Sequence, residues 1–227
     1  MNKVAIMIDG DFFIRRMRAL DFDRASNPAS MANTIRAIAR LHASKAKREI
    51  YRIFFYDCEP MKGRLHNPIT NACIDFSKSD LHAFRTALHN ELRASRKTAL
   101  RLGTLRRDAD NAWIIKPEKG MGLLKGRLKI EDLDPEKDII PNVRQKEVDM
   151  KIGIDIATLS LKKQVDTIVL IAGDCDFVPA AKLARREGID FILDAMRRPI
   201  DPRLHEHIDG LRSVIKQKAT SSPKETK

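Results

Sequence analysis

Several aspartates stand where predicted buried strands end. The apolar run 4–8 closes on Asp9, and the apolar run 167–172 is followed by Asp174 and Asp176. In an open parallel sheet, ligands bind in the crevice outside the carboxyl ends of the strands. We therefore predict that the first and last of these motifs face one crevice and form a chemical site.

Asp149 is a further candidate, but its segment has an ambiguous pattern. Apolar residues occupy every even position of 148–156, which is typical of a strand. Val148, Ile152 and Ile156 would equally share one face of a helix. The periodicity alone does not decide between strand and helix.

A cluster of carboxylates has a chemical consequence. Two carboxylates ~5 Å apart repel by about 3 kcal/mol at an effective dielectric of ~20, so a cluster persists only with protonation or a bound cation. Hard oxygen ligands select Mg²⁺ or Mn²⁺, which can activate water and bind a scissile phosphate. The structural alternative is that Asp9 starts a turn and that Asp174 or Asp176 caps a helix.

The charge of the chain favours a polyanionic partner. The 227 residues carry a net charge of +12, and the sequence pI is about 9.8. Lys and Arg next to phosphates release condensed counterions, so this excess favours nucleic acid. Segment 93–129 holds eleven Lys and Arg against three Asp and Glu, and we interpret it as strands and loops with an exposed basic face. The residues predicted to contact an RNA backbone are Arg101, Arg106, Arg107, Lys125 and Arg127.

Strand and helix patterns alternate along the chain. Strands are predicted at 4–8, 51–56, 167–172 and 189–193, and helices near 30–46, over 81–92, and from Pro179 to Gly188. This alternation is typical of parallel βαβ units and predicts an α/β fold.

The remaining composition narrows the class of protein. Cys58, Cys73 and Cys175 form no C-x-x-C pair and are odd in number, which argues against a disulfide framework or a thiolate zinc site and favours a cytoplasmic location. The first apolar run is too short for a membrane span, so no membrane partner is expected. Residues 216–227 contain no large apolar residue and are predicted to be a disordered basic tail.

Three motifs resemble the signatures of NYN domains, the LabA-like branch of the PIN-like nuclease superfamily. They are Ile8-Asp9-Gly10, Gln145-Lys146-x-Val148-Asp149, and Ala172-Gly173-Asp174-Cys175-Asp176-Phe177-x-Pro179. The resemblance implies a PIN-like Rossmannoid fold over about 1–215, with a basic insertion near 93–145. It also implies that 148–161 is a helix.

The same resemblance implies an activity and a ligand set. It implies a metal-dependent endoribonuclease that binds Mg²⁺ or Mn²⁺ through Asp9, Asp149, Asp174 and Asp176, with RNA as substrate. Asp155 fits a further acidic position of the family. One departure is Phe12, which stands where the family often has Asn. Asp11 could supply the missing polar group.

Other functions remain open at this point. A non-catalytic RNA-binding module of the same fold would be expected to lose one of the acids, and all four are present. Asp9-Gly10-Asp11 also resembles the nucleophile motif of haloacid-dehalogenase phosphatases, although Phe13 departs from it. Zinc binding by His205 and His207, or by His82 and His89, lacks a third ligand nearby. The RNA target and the oligomeric state, a homo-oligomer included, are left open.

Overall fold

A computed structural model of the chain describes residues 2–107 and 111–215. The described residues form two compact units. Unit 1 comprises those within 1–57, 87–102 and 148–227, and unit 2 comprises 58–86 and those within 103–147. Three elements, at 49–58, 80–93 and 98–107, contribute residues to both units.

The elements have the following bounds. The strands are β1 Lys3–Asp9, β2 Glu49–Cys58, β3 Arg64–His66, β4 Cys73–Asp75, β5 Thr98–Arg107, β6 Trp113–Ile115, β7 Ile139–Pro141, β8 Val143–Lys146, β9 Thr167–Ile171, β10 Asp190–Asp194 and β11 Gly210–Leu211. The helices are α1 Gly10–Leu20, α2 Phe22–Ser26, α3 Pro28–Ala46, α4 Asp80–Arg93, α5 Pro117–Leu124, α6 Val148–Leu161, α7 Val178–Arg186 and α8 Pro202–His205.

A mostly parallel sheet dominates unit 1. Its strand order within this unit is β11-β10-β9-β1-β2-β5, in which β2, β1, β9, β10 and β11 are joined by parallel pairings. The chain leaves β1 towards β2 and later returns to β9 on the other side of β1. This reversal creates a topological switch point at the carboxyl ends of β1 and β9, where such sheets bind ligands.

The core strands are buried because they are continuously apolar. Residues 4–8 of β1 and all of β9 are buried, as expected for parallel strands covered by helices on both faces. The α/β class, predicted from the alternation of elements, and the sheet flanked by helices, implied by the family resemblance, are confirmed.

Capping residues set several helix boundaries. Asn27 caps α3 by accepting a hydrogen bond from the Ser30 N–H at 3.0 Å, and Pro28 occupies the first turn. Segment 148–161 is a helix, as the family resemblance implied, and it buries Val148 and Ile152 on its inner face. The two-residue alternation there was misleading, because α6 is apolar on its exposed face as well.

Unit 2 consists mainly of short antiparallel ribbons. The strand β3 pairs with β4, β6 pairs with β7, and residues 104–107 of β5 pair with β8. Part of the interpretation of 93–129 as strands and loops is wrong, because 117–124 is helical. Pro117 lies in the first turn of α5, where its missing N–H costs no hydrogen bond.

None of the helices in the described residues is long and apolar enough to cross a membrane.

Candidate metal centre

Asp9 joins the end of β1 to the start of α1. Its side chain caps α1, with Oδ1 accepting a hydrogen bond from the Phe12 N–H at 3.2 Å. The next residue must be small, because a Cβ on Gly10 would lie 2.6 Å from the backbone oxygen of Tyr56 on β2. The sharp turn after β1 therefore holds the Asp9 carboxylate at the sheet edge.

Asp174 holds an equivalent place after β9. Its Oδ1 accepts a hydrogen bond from the Asp176 N–H at 3.0 Å and so begins the short 3₁₀ turn at Cys175–Phe177. A Cβ on Gly173 would lie 2.5 Å from the Phe12 ring, so glycine admits that ring. The turn presents both carboxylates, and both residues are exposed.

Phe12 explains the departure from the family's first motif. Its side chain is 5% exposed and packs against Gly173, so the first and third motifs contact one another through an apolar residue. A smaller polar residue at position 12 would be buried and would leave unfilled the space that the Phe12 ring occupies. Position 12 serves packing in this chain, and the neighbouring polar residue, Asp11, pairs with Arg15 at 2.9 Å.

Asp149 enters the same region from the first turn of α6. The amino end of a helix carries a partial positive charge, which stabilises a carboxylate in the first turn. Its exposed carboxyl group interacts electrostatically with Asp174 and Asp176, and it also acts on Asp9. Asp149 is therefore within electrostatic range of the other three predicted acids.

Mutual repulsion and burial shift the pKa values of this cluster. Burial raises the pKa of Asp9 to about 6, assisted by the charges of Asp11 and Asp149 and opposed by the hydrogen bond from Phe12. Burial, and then the charges of Asp174 and Asp176, raise the pKa of Asp149. Both shifts mean that negative charge is costly at this edge of the sheet.

The donor set suits a hard cation. Ligand atoms of Asp174, Cys175 and Asp176 lie within 4.8 Å of one another. The carboxylate oxygens are the ligands that Mg²⁺ and Mn²⁺ prefer, whereas a thiol suits softer metals. A divalent cation would also relieve the repulsion that raises the pKa values of Asp9 and Asp149.

Arg203 is a neighbour of the cluster that the sequence motifs did not reveal. Its Nη2 donates to Cys175 Sγ at 3.3 Å, and its guanidinium pairs with Asp201, with Nη2 to Oδ2 at 2.7 Å. The pair lowers the pKa of Asp201 to about 2 through these hydrogen bonds. No local pattern pointed to Arg203, because only the fold brings α8 back to the turn after β9.

Asp155 is held by other groups. Its Oδ2 accepts hydrogen bonds from Tyr56 Oη at 2.9 Å and from Arg101 Nε at 3.1 Å. The Arg101 guanidinium also lies 5.6 Å from the centre of the Phe54 ring. Arg101, predicted to contact RNA, is thus engaged in a cluster of its own.

The other predicted RNA contacts lie in unit 2. Arg106 and Arg107 are exposed residues of β5, Lys125 follows α5, and Arg127 is exposed in the next loop. Their role in binding RNA stays a prediction.

Two further strand ends carry aspartates with a different environment. Asp57 near the end of β2 accepts from His89 Nε2, and Asp194 at the end of β10 accepts from His42 Nε2, each at 2.9 Å. All four side chains are at most 2% exposed. His89, considered for zinc from sequence, is therefore engaged with Asp57.

Comparison with known proteins matches part of the chain to a family. Residues 129–203, which include Asp149, Asp174 and Asp176, match the NYN domain model. No curated protein sequence matches the chain. A crystal structure of a protein of unknown function from Vibrio parahaemolyticus is similar at a TM-score of 0.49, with 12% identity, over 94% of this chain and 93% of that one.

Proposed function

We propose that the chain is a divalent-metal-dependent endoribonuclease, on the basis of the match of residues 129–203 to the NYN domain family. NYN domains are generally nucleases, and those nucleases act on RNA and typically depend on a divalent metal. The proposed metal ligands are Asp9, Asp149, Asp174 and Asp176. The proposed ion is Mg²⁺ or Mn²⁺.

The observation that supports this function most directly is the convergence of these acids. Three separate elements of the sheet edge contribute them, and burial together with neighbouring carboxylates raises the pKa values of Asp9 and Asp149. A purely structural cap explains one hydrogen bond of Asp9 and one of Asp174. It does not explain why Asp149 joins them from a third element.

The residues of the chain have distinct tasks in this proposal. A bound divalent ion would supply Lewis-acid chemistry, activating water and neutralising charge on the scissile phosphate. Asp9 and Asp174 hold their carboxylates at the switch point through backbone N–H groups, so little reorganisation is needed when a cation enters. Asp149 and Asp176 supply the rest of the negative charge of the proposed metal site. Asp176 is exposed and can therefore orient a water molecule.

We assign Arg203 a role in contacting the substrate. Its guanidinium is 73% exposed as a side chain and interacts electrostatically with Asp176. Its pairing with Asp201 fixes the plane of the guanidinium, which is favourable for contacting a phosphate. This residue is a candidate for positioning the RNA backbone beside the acids.

The test is cleavage of labelled single-stranded RNA by the purified protein with Mn²⁺, Mg²⁺ or EDTA. We expect internal cleavage products with Mn²⁺ or Mg²⁺ and intact RNA in EDTA. RNA binding without cleavage in either metal would instead support a non-catalytic module. Hydrolysis of small phosphate esters, with a phosphoryl group trapped on Asp9, would support the phosphatase alternative.

A further inference from the structure

The ribbon formed by β5 and β8 in unit 2 places like charges opposite one another. Arg106 pairs in register with Arg144, and Thr104 pairs with Lys146. Directly opposed residues of an antiparallel pair project from the same face, and residues two apart on one strand do so as well. These four residues therefore share one face of the ribbon, and all four are exposed.

The other face of the ribbon has a different character. Leu105 and Val143 lie on it and are half-buried, and the exposed Arg107 and Gln145 lie on it as well. Two consecutive arginines of the sequence, Arg106 and Arg107, thus point in opposite directions. Only the first belongs to the exposed basic face, hereafter the basic ribbon face, defined by Arg106, Arg144 and Lys146.

An opposed pair of arginines weakens the sheet unless an anion is bound. Like charges directly across an antiparallel pair are destabilising. Within the described part of the chain, Arg106, Arg144 and Lys146 form no ion pair with a carboxylate, although unit 2 is nearly balanced in charge. Other cations of the unit do have such partners: Arg64 pairs with Asp75, and Lys137 pairs with Asp134.

The local contacts also hold the arginine stem in place. Arg144 Nε donates to Oδ1 of the buried Asn142 at 3.4 Å, and Asn142 itself donates to the backbone oxygen of Asn111 at 2.9 Å. At the far end of the ribbon, Thr104 Oγ1 donates to Glu147 Oε1 at 3.2 Å. The basic face is therefore bounded at one end by a carboxylate and supported at the other by a buried amide.

We propose that the basic ribbon face binds consecutive backbone phosphates of single-stranded RNA, an inference that rests on the proposed RNA substrate. Side chains two residues apart on a strand are spaced by ~7 Å, so Arg144 and Lys146 can contact different phosphates of one extended strand. Arg106 faces Arg144 across the ribbon, and the two guanidiniums can bind the same phosphate. A narrow row of cations of this kind follows one strand.

The test compares two variants that lose the same charge from unit 2. Arg106→Ala/Arg144→Ala removes the opposed pair, and Arg64→Ala/Lys137→Ala removes two cations that already have carboxylate partners. Binding of a labelled single-stranded RNA is measured in EDTA over a series of KCl concentrations. Each lost phosphate contact lowers the slope of log K against log salt by about 0.7 for a single strand.

We expect the slope of the ribbon variant to fall by about 0.7, because the two arginines share one phosphate, with at least a tenfold loss of affinity at low salt, and the slope of the control to change little. An equal change in both variants, or none in the ribbon variant, would overturn the proposal. Tighter binding of duplex RNA than of single-stranded RNA through the same residues would also overturn it.

Two further measurements separate this proposal from the fold and from the nuclease function. The thermal midpoint of the ribbon variant should equal or exceed that of the wild type, because an opposed like-charge pair is removed. The second measurement is cleavage of the same RNA by the wild-type protein in Mn²⁺. If wild-type protein binds RNA through the ribbon face but never cleaves it, the nuclease proposal fails and the ribbon proposal stands.

Discussion

Four neighbouring parallel strands each have an aspartate at or near the carboxyl end, and the inner two aspartates differ from the outer two. At the outer ends, Asp57 and Asp194 are buried and each accepts a hydrogen bond from a buried histidine. At the inner ends, Asp9 and Asp174 lie near other carboxylates, and within residues 2–107 and 111–215 their side chains accept hydrogen bonds only from backbone N–H groups. The same residue type at the same sheet edge is therefore structural in two places and a source of repulsion in two others.

The comparison shows what separates a structural aspartate from a chemical one. A buried carboxylate with a donor partner contributes stability, and removing its charge costs free energy. A carboxylate held beside like charges lowers the stability of the protein without its ligand. A protein can keep such a carboxylate when ligand binding offsets the repulsion. Substituting Asn at each strand end should accordingly give opposite signs for the inner and outer positions.

The largest effect is expected for Asp174→Asn. The substitution keeps the shape and the cap of the 3₁₀ turn but removes one proposed metal ligand. Loss of several kcal/mol of stabilisation of the charged transition state corresponds to a fall in RNA cleavage of about a hundredfold or more. The measurement is single-turnover cleavage in Mn²⁺, with RNA affinity measured in Ca²⁺.

RNA affinity of this variant should hold or increase, because less negative charge faces the phosphates. The thermal midpoint without metal should not fall. Cleavage at the wild-type rate would remove Asp174 from the site, and lost stability with unchanged kinetics would show a purely structural cap.

The second effect is the loss of stability expected for Asp194→Asn. Asp194 Oδ2 accepts from His42, while Oδ1 accepts from the Met196 N–H and from Ser213 Oγ, each at 2.8 Å. An amide has one acceptor oxygen, so its NH₂ group must oppose one of these sets of donors. We expect the free energy of unfolding to fall by about 3 kcal/mol.

Urea unfolding measures this loss, and Mn²⁺ affinity of the folded variant serves as the control. That affinity should be unchanged, since Asp194 lies outside the proposed ligand set. A stability equal to that of the wild type would contradict the distinction between outer and inner strand ends.

Sequence reasoning identified the inner strand ends but could not distinguish them from the outer ones. The apolar runs before Asp9 and Asp174 predicted both strands, and the strand that ends near Asp57 was predicted with the same pattern. The difference arises from His42 and His89, which lie on helices distant in sequence and meet the strand ends only through packing. Helix positions of that kind carry no local signal for a partner.

Local sequence patterns were also insufficient for α6 and for Arg203. Periodicity did not decide the structure of 148–161, because the helix is apolar on two faces, and the family resemblance was needed to predict it correctly. Arg203 reaches Cys175 through α8, a helix of four residues without a pattern of its own. Local sequence propensity determines the helices and strands, whereas contacts between distant helices and strands determine which residues surround the acids.

The third predicted effect is a gain in stability, and it depends on pH. Burial and neighbouring charges raise the pKa of Asp9 from 3.8 to about 6, so the folded protein binds this proton more tightly than the unfolded chain. Its contribution to stability is greatest below pH ~4 and is lost as pH rises through about 6. Asp9→Asn mimics the protonated form and keeps the cap of α1, since Asn is a good N-cap.

We therefore expect Asp9→Asn without metal to match the wild type at pH 4 and to be more stable at pH 7.5 by about 1–3 kcal/mol. Urea unfolding in EDTA at the two pH values provides the measurement. Excess Mn²⁺ should narrow the difference, because it stabilises the wild-type cluster more than the variant. A gain of equal size at both pH values would show that repulsion of the ionised carboxylate is not its cause.

The smallest effect is expected for Asp155→Asn, which tests the boundary of the inner group. Asp155 fits an acidic position of the family, yet its Oδ2 accepts from Tyr56 and Arg101. The Arg101 side chain is 46% exposed, and such a pair contributes at most about 1 kcal/mol. Stability should fall by less than that amount, and Mn²⁺ affinity, measured by calorimetry, should stay within about twofold of the wild type. Asp9→Asn in the same titration is the matched control, because it removes one carboxylate from the proposed ligand set. If Asp155→Asn weakened Mn²⁺ binding as much as Asp9→Asn, Asp155 would belong with the inner acids, and its contacts with Tyr56 and Arg101 would be a state that the metal replaces.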